Sequence, residues 1–216
     1  MHTRPMRHEI IMKPRLTTAF IPLLALLPVP LFGNLVQLSF LPSSQDVFVN
    51  GTVQVAVNIS LLNIGEPPSL GTYDLDVSYN PLLLNFLNVT FGDPILGNQL
   101  DLFGLGNIQS FTIGLGSVNL FELSFDSAAD LDAFQAGDFT LFVLSFSAIA
   151  PGTNPLTLNV NALGDAIGGP INFTQQDGSV NIIGQTSEIP EPSTAYLALF
   201  AVTAILALPS RRSRHV

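Results

Sequence analysis

Hydrophobic and polar residues alternate with a period of two through much of the chain. In TVQVAVNISLL, residues 52–62, the apolar positions are Val53, Val55, Val57, Ile59 and Leu61, with mostly polar residues between them. Because successive side chains of a β-strand point to opposite faces, this pattern predicts a strand with one buried face.

The segment GTYDLDVSY, residues 71–79, repeats this alternation. Its apolar side is formed by Tyr73, Leu75, Val77 and Tyr79. Its polar side is formed by Thr72, Asp74, Asp76 and Ser78. We expect the first set to face a core and the second to form an outward row on the same strand.

Three further segments are typical of strands. Residues 139–149, FTLFVLSFSAI, are apolar on both faces and suit a central strand, whereas 156–162 and 178–183 are short and alternating. Turn sequences separate the segments, as at Asn80-Pro81 and in 168–170, GGP. Many short strands with such punctuation predict an all-β sandwich.

One short helix interrupts this pattern at SAADLDAFQ, residues 127–135. Ser127 followed three residues later by Asp130 resembles a helix capping box. Leu131 and Phe134 are spaced to share one helix face.

Charge is distributed unevenly along the 216 residues, whose formal net charge is −9. No Lys or Arg occurs between Arg15 and Arg211, whereas acidic residues are spread through that region. Since proteins bind nucleic acids through cationic side chains, this excludes nucleic acid as a partner.

The same region lacks most catalytic side chains. Histidine occurs only at His2, His8 and His215, and the chain has no cysteine. A neutral-pH general base of the usual kind, a thiol nucleophile and the soft ligands of zinc are therefore missing, so we predict no catalytic residues and no enzyme activity. Chemistry based on carboxylates alone, glycoside hydrolysis or calcium binding, stays open.

Calcium is the one metal that the residues allow. Asp126, Asp130 and Asp132 lie close in sequence, but they lack an EF-hand arrangement and extend across a helix start. We therefore predict no metal site and no cofactor, with calcium at these carboxylates as the alternative.

The N-terminus predicts export. Residues 1–33 contain a basic segment followed by an apolar, proline-interrupted segment, the order found in a secretory signal peptide, and Met12 is an alternative start. A retained N-terminal anchor is the alternative.

The C-terminus contains a linker, residues 185–193, with the motif Pro190-Glu191-Pro192, and then a hydrophobic helix and basic tail, residues 194–216. An apolar helix from Ala195 to Leu208 would be about 21 Å long, too short for the roughly 30 Å hydrocarbon core of a bilayer. The tail contains three arginines that we expect on the cytoplasmic side, Arg211, Arg212 and Arg214. This order predicts a transient stop-transfer signal, and the prolines keep the motif extended and accessible to a processing enzyme.

In motif, order and spacing this tail resembles the PEP-CTERM sorting signal of Gram-negative bacteria that make exopolysaccharide. The resemblance implies recognition by an exosortase, a membrane transpeptidase-like enzyme, during transit through the inner membrane. The mature protein would then reach the cell surface or the extracellular matrix. A plain C-terminal anchor is the alternative.

Residues 34–184 resemble the cohesin family in the order of three segments, VQLSFLPSSQDVFVNGTVQVAVNIS, LGTYDLDVSYNPLLLNFLNV and NLFELSFDSAADLDAFQAGDFTLFVLSFSA. Cohesins are secreted, nine-stranded flattened jelly rolls that bind dockerin domains on one exposed sheet face. The resemblance implies a dockerin-contacting carboxylate at Asp74, with Thr72 at the neighbouring outward position.

Three functions remain at this stage. The first is a non-catalytic interaction module whose partner-binding row is Thr72, Asp74, Asp76 and Ser78. The second is a carbohydrate-binding module of the matrix polysaccharide, which the absence of Trp for stacking on sugar rings opposes. The third is a glycoside hydrolase using the two aspartates, about 7 Å apart along the strand, which the absence of a cation opposes.

Overall fold

The alternating segments pair into two β-sheets in the computed structural model, which describes residues 35–184. The predicted all-β sandwich with one short helix is confirmed. The elements are β1 Val36–Leu41, β2 Ser44–Phe48, β3 Thr52–Ser60, β4 Leu70–Ser78, β5 Leu84–Phe91, β6 Asn107–Gly114, β7 Ser117–Ser124, α1 Ala128–Phe134, β8 Phe139–Ala148, β9 Gly152–Asp165, β10 Phe173–Gln176 and β11 Gly178–Ile183.

One sheet has five strands in the order β10-β1-β3-β8-β5, and the other has six in the order β2-β11-β9-β4-β7-β6. Neighbouring strands are antiparallel except β1 with β10 and β2 with β11. The eleven strands exceed the nine that the cohesin resemblance implies. The reason is that the first and last strand segments each cross between sheets, so β1 and β10 lie in one sheet while β2 and β11 lie in the other.

The core lies between the sheets and contains the predicted inward residues of β3 and β4. Val55, Val57, Tyr73 and Leu75 are each at most 1% exposed. The strand β8 lies between β3 and β5 and is buried at most of its positions, as its apolar composition predicts. Burial of this apolar surface is the dominant stabilising term for such a fold.

One residue predicted on the inward face of β3, Leu61, is wrong. The strand β3 ends at Ser60, and Leu61 has a φ of 66° and is 55% exposed, while Leu62 takes the buried position. The left-handed backbone at Leu61 breaks the alternation, which moves the inward position along by one residue. Of the two residues on one face of α1, Leu131 is buried, whereas Phe134, at which the helix ends, is 65% exposed.

The predicted helix start is confirmed. The Ser127 side chain accepts a hydrogen bond from the backbone N–H of Asp130, and its hydroxyl donates to the Asp130 carboxylate. Just after the helix, Gln135 is 2% exposed and bonds both backbone groups of Leu70 at the start of β4. The helix is thereby fixed against the end of the strand that carries the outward polar row.

The predicted signal peptide, residues 1–33, the linker, 185–193, and the sorting helix and tail, 194–216, lie outside the described residues. The same is true of the motif Pro190-Glu191-Pro192 and of the terminal arginines. Within residues 35–184, no helix has the length and apolar character needed to cross a membrane.

Candidate functional site

The predicted outward row lies in the middle of the six-stranded sheet. Its strand, β4, pairs with β9 on one side and with β7 on the other. Thr72, Asp74, Asp76 and Ser78 alternate with buried residues and are all partly exposed on the outer face. The structure therefore places the four predicted residues together on one surface.

Two asparagines from the neighbouring strands hold the two aspartates. Asn119 Nδ2 on β7 donates to Asp74 Oδ1 at 2.6 Å and to Asp76 Oδ1 at 2.9 Å. Asn161 Nδ2 on β9 donates to Asp74 Oδ1 at 3.1 Å and to Asp76 Oδ2 at 3.0 Å. We call these four residues the acid–amide cluster. Its carboxylates are fixed in position by neutral donors alone, so the amides orient the negative charges without neutralising them.

A β-bulge explains how Asn161 reaches both aspartates. Opposite β4, the residues facing Asp74 and Leu75 are Ala162 and Val160, so Asn161 has no partner in the ladder. The extra residue of a bulge re-aims its side chain. Here the bulge turns the amide of Asn161 towards the outer face.

The two ends of the predicted row are less available than its centre. Thr72 Oγ1 donates to the backbone oxygen of Glu122 at 2.8 Å, so this hydroxyl proton is already used inside the sheet. Ser78 lies opposite Ser117 and Thr157 at the far end of the strand. The charged side chains of the row are therefore Asp74 and Asp76, at its centre.

An apolar strip adjoins the cluster and has no counterpart in the sequence prediction. Phe121 on β7 lies directly opposite Asp74, and Leu123 lies opposite Thr72. On the next strand, Ile108 pairs with Leu123 and is 46% exposed. Protein-binding surfaces combine an apolar centre with polar groups at the rim, and this face has side chains of both kinds.

Beneath this face lies a buried carboxylate that the sequence prediction missed. Glu122 is 0% exposed, and three side-chain amides donate to its Oε1: Asn98 and Asn107 at 2.5 Å and Gln109 at 2.9 Å. The Tyr73 hydroxyl donates to its Oε2 at 2.7 Å. Burial raises the pKa of Tyr73 well above its usual value, and the adjacent carboxylate raises it further.

The three side chains proposed for calcium each make a separate hydrogen bond. Asp126 accepts from the backbone N–H of Leu102, Asp130 accepts from the hydroxyl of the N-cap residue Ser127, and Asp132 accepts from the hydroxyl of Ser69. Among residues 35–184, no three Asp, Glu, His or Cys side chains are grouped as metal ligands. Calcium at these carboxylates stays the alternative prediction.

A shallow groove of about 440 Å³, lined by residues of β9 and of the segment that follows it, adjoins the acid–amide cluster. Thr72 and Asn161 lie at its cluster side. Its other lining residues are mostly apolar or glycine and include Leu163, Gly169 and Phe173. The groove extends the outer face of β4 and β9 as an open surface.

Comparison with solved structures reveals a common fold. The chain is similar to a non-cellulosomal cohesin from Archaeoglobus fulgidus, with 18% identity over 76% of this chain and 98% of that one and a TM-score of 0.53. It is similar to a type I cohesin from Pseudobacteroides cellulosolvens, with 14% identity, coverage of 71% and 96% and a TM-score of 0.54. A type I cohesin–dockerin complex from Clostridium thermocellum matches with 13% identity, coverage of 69% and 100% and a TM-score of 0.55.

No family model matches this sequence, and no curated protein matches it. At identities this low, the comparison shows the fold alone. The domain therefore has a cohesin-like fold, and its function depends on its own surface.

Proposed function

We propose that this chain is an exported, non-catalytic interaction module that binds a protein partner through the outer face of β9, β4 and β7. One of the similar solved structures is a cohesin–dockerin complex, and we propose a dockerin-like partner for this chain. The observation that carries the proposal is the acid–amide cluster, because it presents two oriented carboxylates beside an exposed apolar strip.

The charge of the cluster indicates the chemistry of the partner. No Lys or Arg occurs between Arg15 and Arg211, so no side chain within residues 35–184 competes for these carboxylates as a cation. Asp74 accepts both amide bonds at Oδ1, and its Oδ2 has no hydrogen-bond donor within the described region. A partner with a Lys or Arg side chain at this point would gain electrostatic complementarity, which favours fast and specific association.

Preorganisation is the second argument for binding at this face. Side chains at an interface lose rotamer freedom when a complex forms, and this loss reduces affinity. Asp74 and Asp76 are already restrained by Asn119 and Asn161 and stand on the central strand of a sheet. The face therefore presents its carboxylates with little further ordering to undergo.

The experiment is a measured affinity for partners captured from the extracellular fraction. Asp74→Asn combined with Asp76→Asn removes both charges and retains the side-chain shapes. We expect binding to weaken by about 1–3 kcal/mol, about 5- to 150-fold, if either aspartate is a central contact. Unchanged affinity for the same partners would refute the proposed site.

A matched control separates the site from general charge. Asp46→Asn with Glu66→Gln also removes two negative charges, and Asp46 accepts a hydrogen bond from Asn181 as the cluster aspartates do from their asparagines. We expect this variant to retain the affinity within about twofold, since exposed charges away from a contact contribute little. The free energy of unfolding of both variants should equal that of the parent chain within about 0.5 kcal/mol.

We also propose that the chain leaves the cell by way of its terminal signals, with an exosortase as a partner in transit. The support is the sequence: an apolar segment too short for a permanent anchor, preceded by Pro190-Glu191-Pro192 and followed by arginines. Intact-mass analysis of the extracellular protein should show loss of everything beyond about Pro192. Mature protein that retains Arg211 would contradict this processing.

A carbohydrate-binding module is the second candidate, and the groove beside the cluster favours it. The groove combines polar groups from Thr72 and Asn161 with the Phe173 side chain, and such combinations bind sugars in many proteins. Retarded migration in gels containing the matrix polysaccharide would support it. Asn161→Ala should abolish the retardation if the groove holds the sugar.

The glycoside hydrolase alternative gains nothing from the geometry. A carboxylate pair divides the acid and base roles because its two members have different environments. Asp74 and Asp76 instead share the same two amide donors. We therefore keep the prediction that the chain is not an enzyme.

A further inference from the structure

The edge strands of the two sheets differ in how they are protected from pairing with another strand. Exposed edges invite association, and proteins block them with short strands, charges, prolines or bulges. Three of the four edges in residues 35–184 have such features. The strand β10 has only four residues, β2 contains Asp46, and β5 has a register irregularity between Phe86 and Asn88.

The fourth edge, β6, has none of these features. Its eight residues, NIQSFTIG, contain no charge and no proline, and they pair with β7 in continuous register from Asn107 to Gly114. The outer edge of β6 is the end of the six-stranded sheet. A long, regular and uncharged edge of this kind is suited to adding a further strand.

Apolar side chains on the inner side of β6 are left uncovered. Phe111 and Ile113 pair with the buried residues Leu120 and Val118, yet they are 47% and 58% exposed. Phe111 contacts Phe86 of β5 across the open side of the sandwich, with ring centroids 6.1 Å apart. A strand added beside β6 would cover both of these residues.

The charge distribution favours a second copy of this chain as the added strand. The domain is acidic and lacks cations, so two copies repel each other over most of their surfaces. Residues 79–92 and 107–121, which form β5, β6 and most of β7, contain no charged residue. This is the side on which two identical acidic domains meet without placing carboxylates against carboxylates.

We infer that two copies of this chain associate through antiparallel pairing of their β6 strands about a twofold axis, forming a continuous twelve-stranded sheet. The acid–amide clusters of the two copies would be five strand spacings apart, about 24 Å, well beyond the Debye length of about 8 Å at physiological ionic strength. A single strand pair is a small interface, so the association is weak and depends on concentration. The outer face of β4 stays open in this dimer.

The absence of cysteine from the full chain provides a direct test. Single cysteines at Ser110, Phe111, Thr112 and Ile113 are treated with a short bismaleimide crosslinker in the full-length protein. We expect a product of twice the chain mass, with the highest yield at the position nearest the twofold axis and lower yields two residues away. The matched control is Thr174→Cys, an exposed threonine on the edge strand β10.

Each outcome supports or overturns the inference. Ile113→Lys should reduce the crosslinked dimer at least tenfold, whereas Ile167→Lys, at a residue 84% exposed in a loop, should not. No dimer from any of the four positions, or equal yields from the Thr174→Cys control, would overturn it. A crosslinked product of another mass would assign the β6 edge to a different protein and overturn it as well. Circular dichroism of each variant checks that the domain is folded.

Discussion

The buried carboxylate of Glu122 allows the sharpest test of how this domain is held together. It accepts hydrogen bonds from a loop residue, from the edge strand β6 and from Tyr73 on β4, so three elements meet at one side chain. Glu122→Leu has a similar volume and removes all four acceptor contacts. The donors then lose their partner, and the cost depends on whether water can replace it.

The expected loss follows from the exposure of each donor. The hydroxyl of Tyr73 is 0% exposed and would stay unpaired, which costs about 2 kcal/mol. Asn98 and Asn107 are half-buried and regain water in part, at about 1 kcal/mol each, while Gln109 is exposed and loses little. We therefore expect the free energy of unfolding to fall by about 4 kcal/mol, a large part of the 5–15 kcal/mol typical of a domain.

Urea denaturation followed by far-ultraviolet circular dichroism measures this loss. With a slope of about 2 kcal/mol per molar urea, the midpoint should fall by about 2 M. Glu122→Gln retains an oxygen for the amides and a donor for the Tyr73 oxygen, so we expect less than half the effect. Glu66→Leu, at an exposed glutamate, is the control and should shift the free energy by less than about 0.5 kcal/mol. A Glu122→Leu midpoint equal to that of the parent chain would refute the reasoning.

Three further predictions concern single residues. Burial and Glu122 raise the pKa of Tyr73, so the folded state favours the neutral phenol. The free energy of unfolding therefore keeps this contribution below the unfolded pKa of about 10 and loses it as the pH rises above that value. Thermal melts between pH 9 and about 12 should show that Tyr73→Phe loses this alkaline dependence. Val57→Asp would bury an unpaired charge in the core and should prevent folding, visible as the absence of a cooperative melt. Asn58→Asp should lower the free energy of unfolding by about 1–2 kcal/mol, because Asn58 Nδ2 donates to Asp138 Oδ1 at 2.5 Å and the variant places two carboxylates next to each other. Adding Asp138→Asn to this variant should restore most of the loss, as measured by urea titration.

The hydrophobic pattern of the sequence predicted those strands of the sandwich that have one buried and one exposed face. The inward and outward residues of β3 and β4 follow from alternation alone. The strands β5 and β6 gave no such signal, because both are edge strands: β6 is exposed along nearly its whole length, and the irregularity in β5 interrupts its alternation.

The acid–amide cluster could be predicted only in part. Alternation places Asp74 and Asp76 on one face, but the donors Asn119 and Asn161 are 45 and 87 residues away from Asp74 in sequence. Their positions depend on strand order and on a bulge, neither of which the local pattern encodes. The burial of Glu122 could have been predicted from the sequence, since this residue continues the inward series of Val118 and Leu120.

A hydroxyl-radical footprint of the chain, alone and with a captured partner, tests most directly whether the outer face of β4 and its neighbours binds that partner. We predict that oxidation of Phe121 and Leu123, beside the acid–amide cluster, slows at least threefold in the complex. Leu87, 51% exposed on β5 of the other sheet, should be oxidised at an unchanged rate. Protection of Leu87 with Phe121 and Leu123 unchanged would place the partner elsewhere and contradict the account.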